Sequence, residues 1–201
     1  MKKKYIQMEM SKLDLKDIIV ELNKMLPKNR MLHSQGVANC AVKLSEIYGY
    51  DKEKAYLAGI LHDCAKYLNH EQVQYFVDKY QIYLDEYEKD NLALSHSMIG
   101  AVLVRHEFDI DDIDIITSVR YHTTGKANMD MLEKIIYIAD LIEENRKYPG
   151  VEELRELAYN KKMDEALLKS FDNTIKLVID RKQIIHPRTV EARNYILKNI
   201  K

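Results

Sequence analysis

Four histidines and two aspartates recur along the chain in an order that suits metal chemistry: His33, the adjacent pair His62-Asp63, His96, His122 and Asp140. Imidazole and carboxylate together suit iron, manganese, zinc and related ions. A carboxylate can also bridge two ions, which an imidazole does not usually do. Two ions about 3.5–4 Å apart clamp phosphoryl oxygens and generate a hydroxide nucleophile. Hydrolysis at phosphorus is one chemistry open to such a set. Asp63 and Asp140 stand in the apolar stretches GILHDCA and IIYIADLI, where an unpaired carboxylate is costly. A metal relieves that cost; so would a salt bridge or a helix terminus. The other three histidines, His70, His106 and His186, read as surface or hydrogen-bonded groups.

Donors this far apart in sequence need elements that bring them together, and helices converging on a bundle interior do so. The chain has only six Gly and three Pro in 201 residues, so it can be mostly helix. Apolar spacing and punctuation predict helices over about 13–26, 29–48, 51–66, 71–79, 92–107, 111–121, 131–144, 151–159, 164–182 and 188–198. Gly49 is a plausible stop for the second and Asp51 an N-cap for the third. Pro187 suits the first turn of the last. No strand alternation or repeat is evident. The expected fold is all-α, a single helical bundle of nine or ten helices. Residues 1–27 form an N-terminal helical extension of that fold, and residues 28–201 carry the site. In this frame His33 lies near the start of the second helix and His62-Asp63 near the end of the third. His96 starts the fifth, His122 ends the sixth and Asp140 lies in the seventh.

Composition excludes other classes. Hydrophobic residues make up 46% and charged residues 31%, enough for a core and no mark of disorder. Lys+Arg is 31 against 32 Asp+Glu, a net charge of -1, which argues against a dedicated nucleic-acid binder. Two cysteines, Cys40 and Cys64, imply neither a disulfide framework nor a Cys-type zinc site. Cys64 reads as a small buried hydrophobe. The basic start MKKKYIQMEM is followed by no apolar signal core, and no run approaches the length that spans a bilayer. A cytoplasmic protein with no membrane partner is expected. A homodimer is possible through apolar helix faces. The acidic stretch DEYEKD, residues 85–90, reads as a solvated loop. FDIDDIDI, residues 108–115, lacks the glycine and glutamate of a calcium loop and reads as helix capping.

The series His, His-Asp, His, His, Asp resembles the HD superfamily of metal-dependent phosphohydrolases. The likeness sharpens over MLHSQGVANCAVKLSEIYGYDKEKAYLAGILHDCAK, LSHSMIGA, YHTTG, IIYIADLIEENRKYPGVEELR and HPRTVEARNYIL. These look like the YqeK-type family, the bacterial symmetrical diadenosine tetraphosphate hydrolases, and the resemblance runs from about Arg30 to Ile196. It implies hydrolysis of diadenosine tetraphosphate to two ADP at a two-metal centre, with iron as the metal and manganese, zinc or magnesium as alternatives. It also implies a ligand set. His33, His62, Asp63 and Asp140 would hold one ion; Asp63, His96 and His122 would hold the other, with Asp63 bridging. Relatives in the superfamily act on guanosine alarmones or deoxynucleotides, and a nucleotide sensor could use the same pocket. An adaptor would not explain two apolar-flanked aspartates in register with four histidines.

Several residues near the ligands suit a small anionic nucleotide. Lys66 is four residues after His62, so both point to the same helix face; it could hold phosphate or stabilise a leaving group, or simply end the helix. Arg30 lies three before His33 and could contact phosphate or pair with an acid. Thr123 and Thr124 follow His122 and offer hydroxyls and backbone N–H groups, or form an ordinary turn. The resemblance suggests nucleotide contact by Arg146, which alone reads as a surface arginine. His186, Pro187 and Thr189 mark a helix start, where free N–H groups favour anions or are merely capped. Arg120 is a weaker candidate for phosphate, and one of the 14 tyrosines could stack on a base.

Overall fold

The computed structural model describes residues 14–200. The basic N-terminal run, the expected helix start at Leu13 and the first half of the expected extension lie outside the described residues. Ten helices and no strand occur among those described: α1 Leu15–Met25, α2 Lys28–Tyr48, α3 Lys52–Leu61, α4 His70–Tyr80, α5 Leu92–His106, α6 Ile113–Tyr121, α7 Met131–Ile142, α8 Val151–Tyr159, α9 Met163–Asp180 and α10 Pro187–Asn199.

Local chemistry sets the ends. Asp14, Asp51 and Asp112 each accept two backbone N–H bonds at an N-terminus, satisfying donors that the helix itself cannot. The Asp112 cap accounts for FDIDDIDI as capping. Gly49 closes α2 in the left-handed conformation with φ 69°. The expected third helix is too long, however. α3 ends at Leu61, and residues 62–67 continue in turns: Cys64 N donates to Leu61 O, Lys66 N to Asp63 O and Leu68 N to Ala65 O. These tighter i to i+3 bonds replace the helix, so the shared helix face assumed for His62 and Lys66 does not exist.

α7 is the axis of the bundle. Leu132, Ile135, Ile136, Ile138, Ala139 and Ile142 are all buried, because α7 packs against α2, α3, α6, α8 and α9. A helix apolar around most of its circumference belongs in the centre. α2 reaches α3 through small residues. A Cβ on Gly59 would stand 2.7 Å from the Ala38 Cα and 3.0 Å from its N, so here the two backbones touch. That contact sets His33 of α2 beside His62, just past the end of α3. α1 adds Ile18 and Leu22 to the same core.

Candidate metal centre

The six expected ligands converge. The imidazoles form a row: His33 to His62 is 5.4 Å between ring centroids, His62 to His122 is 5.1 Å, and His122 to His96 is 5.0 Å. Asp63 lies at the middle. Its Oδ1 is 3.2 Å from His96 Nε2 and 3.5 Å from His122 Nε2; its Oδ2 is 3.5 Å from His62 Nε2. Asp140 Oδ1 is 3.0 Å from His33 Nε2 and 3.9 Å from His62 Nε2. Two donor groups, His33–His62–Asp63 and Asp63–His96–His122, each fit within 4.8 Å and share Asp63.

The outer nitrogens decide how these rings point. His62 Nδ1 lies 2.7 Å from Gly59 O, His122 Nδ1 2.7 Å from Val119 O, and His96 Nδ1 3.3 Å from Leu92 O. His33 Nδ1 lies 3.1 Å from Glu143 Oε1. A carbonyl can only accept, so the Nδ1 of His62, His96 and His122 carries a proton and faces away from the centre, whereas His33 stands between two carboxylates, Glu143 at Nδ1 and Asp140 at Nε2. Ligating histidines elsewhere are oriented by their second nitrogen in the same way. Ring nitrogens of four imidazoles and oxygens of two carboxylates therefore face one another. Within this cluster the buried His62 Nε2 and Asp63 Oδ1 have no hydrogen-bond partner, a costly state. Divalent cations relieve it, and nitrogen and oxygen donors of this kind suit them. The residues present fit two ions.

Burial and charge act together on the donors. Burial pushes His96 down to about 4, so its ring is neutral at neutral pH, as a ligand must be. Burial disfavours charge on Asp63 and Asp140 also. The neighbouring imidazoles, with Arg146 beside Asp140, outweigh it and hold both carboxyls well below their usual range. For His62, burial is overcome by the Asp63 charge, so without a cation the ring draws a proton toward the site.

Of the expected substrate residues, Arg30, Lys66, Thr123 and Arg146 border this cluster. Arg30 Nη1 donates to Asp63 Oδ2 at 2.9 Å, while its buried Nε has no partner. Lys66 Nζ is 3.1 Å from His96 Nε2, and Thr123 Oγ1 is 3.1 Å from His122 Nε2 and 3.3 Å from His96 Nε2. Arg146 Nη2 donates to Asp140 Oδ1 at 2.5 Å and lies 3.5 Å from His33 Nε2. Arg120 Nη1 reaches Ser97, next to His96, at 3.5 Å, but its Nη2 binds Glu88 at 2.5 Å. Thr124 turns away, donating its hydroxyl to Gly125 O at 2.9 Å. The helix-start group is spent on capping. His186 Nδ1 accepts from Arg188 N at 3.1 Å, its Nε2 lies 3.1 Å from Asp85 Oδ2, Pro187 opens α10, and Thr189 is buried. No hydrogen bond of these three residues reaches the six-residue cluster among the described residues.

Three residues that sequence reasoning missed support the site. Glu143 is 2% exposed and orients His33. Arg155 donates to Ile142 O, Glu143 O and Arg146 O at 2.9, 2.6 and 3.0 Å, closing the C-terminal end of α7. Glu88 is 1% exposed, and its Oε1 receives Arg120 and Arg188. The stretch at residues 85–90 is thus not simply a solvated loop. Glu143 is three residues past Asp140, a spacing that could have drawn notice; nothing local marks Arg155 or Glu88. Cys64 is buried beside the Gly100 backbone, and burial pushes its thiol up to about 12, which removes it as a nucleophile.

The HD domain model matches residues 30–145, a span that includes all six cluster residues. The chain is 37% identical to a symmetrical bis(5'-nucleosyl)-tetraphosphatase of Bacillus subtilis, over 88% of this chain and 94% of that one. It belongs to the HD-domain family of symmetrical bis(5'-nucleosyl)-tetraphosphatases. The relative of the same name from Staphylococcus aureus is 36% identical, over 85% of this chain and 88% of that one. A crystal structure of a predicted HD superfamily hydrolase involved in NAD metabolism, from Clostridium acetobutylicum, superposes with a TM-score of 0.90 at 42% identity. It covers 94% of this chain and 100% of its own. For this member of the tetraphosphatase family, no described helix is long and apolar enough to cross a membrane.

Proposed function

We propose that this protein hydrolyses diadenosine tetraphosphate symmetrically, to two ADP. The observation that carries the reading is similarity at 36–38% identity to three symmetrical tetraphosphatases over nearly their whole lengths, beyond the HD residues that many nucleotide hydrolases share. Residues 28–201 form the hydrolase unit and residues 1–27 its extension.

His33, His62, Asp63 and Asp140 would hold one divalent ion, and Asp63, His96 and His122 the other. Iron is the proposed metal. Bound there, the ions supply an activated water and offset charge developing on the phosphoryl oxygens. The chain's own residues do the rest. Asp63, shared by both donor groups, fixes the spacing of the two halves. Arg30, with a free Nε–H, and Lys66 hold the polyphosphate, and Lys66 steadies the negative charge that accumulates on the departing ADP. Thr123 presents a hydroxyl beside His96 and His122. Arg146 keeps Asp140 ionised and turned inward.

The test is product analysis of the purified protein with diadenosine tetraphosphate, with and without added Fe²⁺ or Mn²⁺, using NAD as control substrate. Metal-dependent release of ADP as the sole nucleotide product is expected. AMP with ATP, or no turnover under any metal, overturns the reading. Asp63→Ala should abolish turnover and leave the helical circular dichroism intact.

A further inference from the structure

The turn that replaces the end of α3 carries more than ligands. His62 and Asp63 point inward and are buried, whereas Tyr67 emerges at the rim and is 49% exposed. Its ring is not isolated from the site. Arg30 Cζ lies 5.9 Å from the Tyr67 centroid, and the same guanidinium donates to Asp63. One arginine therefore spans the distance between the shared carboxylate of the cluster and an open aromatic ring. Lys66, the residue before Tyr67, reaches His96 at 3.1 Å.

Other aromatic rings near the site are committed. Tyr121, beside His122, has Arg120, Lys126 and Arg188 at 5.4, 5.2 and 5.6 Å from its centroid. Tyr148 is half-buried and donates its hydroxyl to Leu141 O at 2.9 Å. Tyr67 makes no hydrogen bond through its hydroxyl among the described residues, so neither a polar contact nor core packing accounts for its place. An aromatic ring that stays half in water beside a polar, phosphate-binding floor offers a π-face, and every nucleobase has a matching one.

We propose that Tyr67 is the platform on which one adenine of the substrate stacks, a base-recognition residue for the reaction. This rests on the proposed nucleotide hydrolysis. Phosphates lying between Arg30, Lys66 and the His/Asp cluster direct the attached nucleoside outward along the Arg30 side chain. The base then meets the Tyr67 ring. Arg30 serves both ends, with N–H groups toward phosphate and its guanidinium within cation–π range of the tyrosine ring.

The experiment is calorimetric titration of the metal-loaded protein with ADP and, separately, with inorganic pyrophosphate. Wild type, Tyr67→Ala and Tyr67→Phe are compared. Tyr67→Ala should weaken ADP about 10- to 100-fold, the size of one base–aromatic stack. Pyrophosphate, which has no base, should bind all three proteins within twofold, and Tyr67→Phe should hold ADP near wild type. ADP affinity unchanged in Tyr67→Ala overturns the proposal. So does an equal loss for ADP and pyrophosphate, which would mean that the ring only braces Arg30. A wild-type protein that binds ADP through Tyr67 yet cleaves no tetraphosphate would sink the proposed reaction and leave the stacking role standing.

Discussion

Replacing Glu143 by Gln tests whether the ring of His33 is held in the tautomer that a ligand requires. Two carboxylates compete for one proton on that ring: Glu143 Oε1 is 3.1 Å from Nδ1, and Asp140 Oδ1 is 3.0 Å from Nε2. A proton on Nδ1 leaves Nε2 free to bind metal; a proton on Nε2 blocks it. Glu143→Gln keeps an acceptor of the same shape but removes its charge, and Asp140 gains in the competition. A hydrogen bond to a charged group contributes about 1.5–3 kcal/mol and a neutral one about 1 kcal/mol. The loss is therefore about 0.5–2 kcal/mol, roughly 2- to 30-fold in metal affinity at that position. Partners of metal-bound histidines are typically worth 10- to 100-fold, so about tenfold is expected. Chelator competition with Mn²⁺ measures it, with circular dichroism as a check that the helices persist. Gly36→Ala reaches the same contact from the other side. A Cβ there would stand 2.6 Å from Glu143 Oε2 and push the carboxylate away, although alanine itself favours the helix by about 1 kcal/mol. Mn²⁺ affinity within twofold of wild type in both variants would refute the orienting role of Glu143.

Three further outcomes are expected. Gly59→Ala drives a methyl into the Ala38 backbone and should cost about 1–3 kcal/mol, read as a lowered urea midpoint. Glu88→Gln breaks the buried pairing with Arg120 and Arg188; a loss of about 3 kcal/mol, or about 6–12 °C in Tm, is expected by calorimetry. Burial opposes charge on Asp85, but the N–H groups of Tyr87 and Glu88 and the His186 ring outweigh it and lower its carboxyl. A depressed acid stabilises the fold above its unfolded value of about 3.8 and loses that contribution as pH falls through its lower folded value. Asp85→Asn should therefore flatten the acid limb of a stability–pH profile below pH 4, and an unchanged limb would contradict the assignment.

The sequence made the helices legible because punctuation and period agreed: Gly49, Asp51 and Pro187 each stand at the boundary they mark. The end of α3 is not legible, since nothing local distinguishes an eleventh helical residue from a tight turn. The turn exists because His62 and Asp63 must both face the cluster, a tertiary demand. The six cluster residues were visible through their types and order. Their supports were not, since Glu143 acts on His33 across 110 residues and Glu88 on Arg188 across 100. Lys66 borders the cluster from a turn, and not from the continuous helix that its spacing suggests.

The seam between Gly59 and Ala38 has a consequence for how such a chain can vary. Because main chain meets main chain there, the separation of α2 from α3, and so of His33 from His62, does not depend on the volumes of the larger core side chains. Isoleucines and leucines elsewhere in the interior can be exchanged and repacked over many generations while the two imidazoles keep their spacing. Freedom is withdrawn from two inconspicuous small residues and granted to most of the core, so the geometry of the centre can outlast the sequence around it.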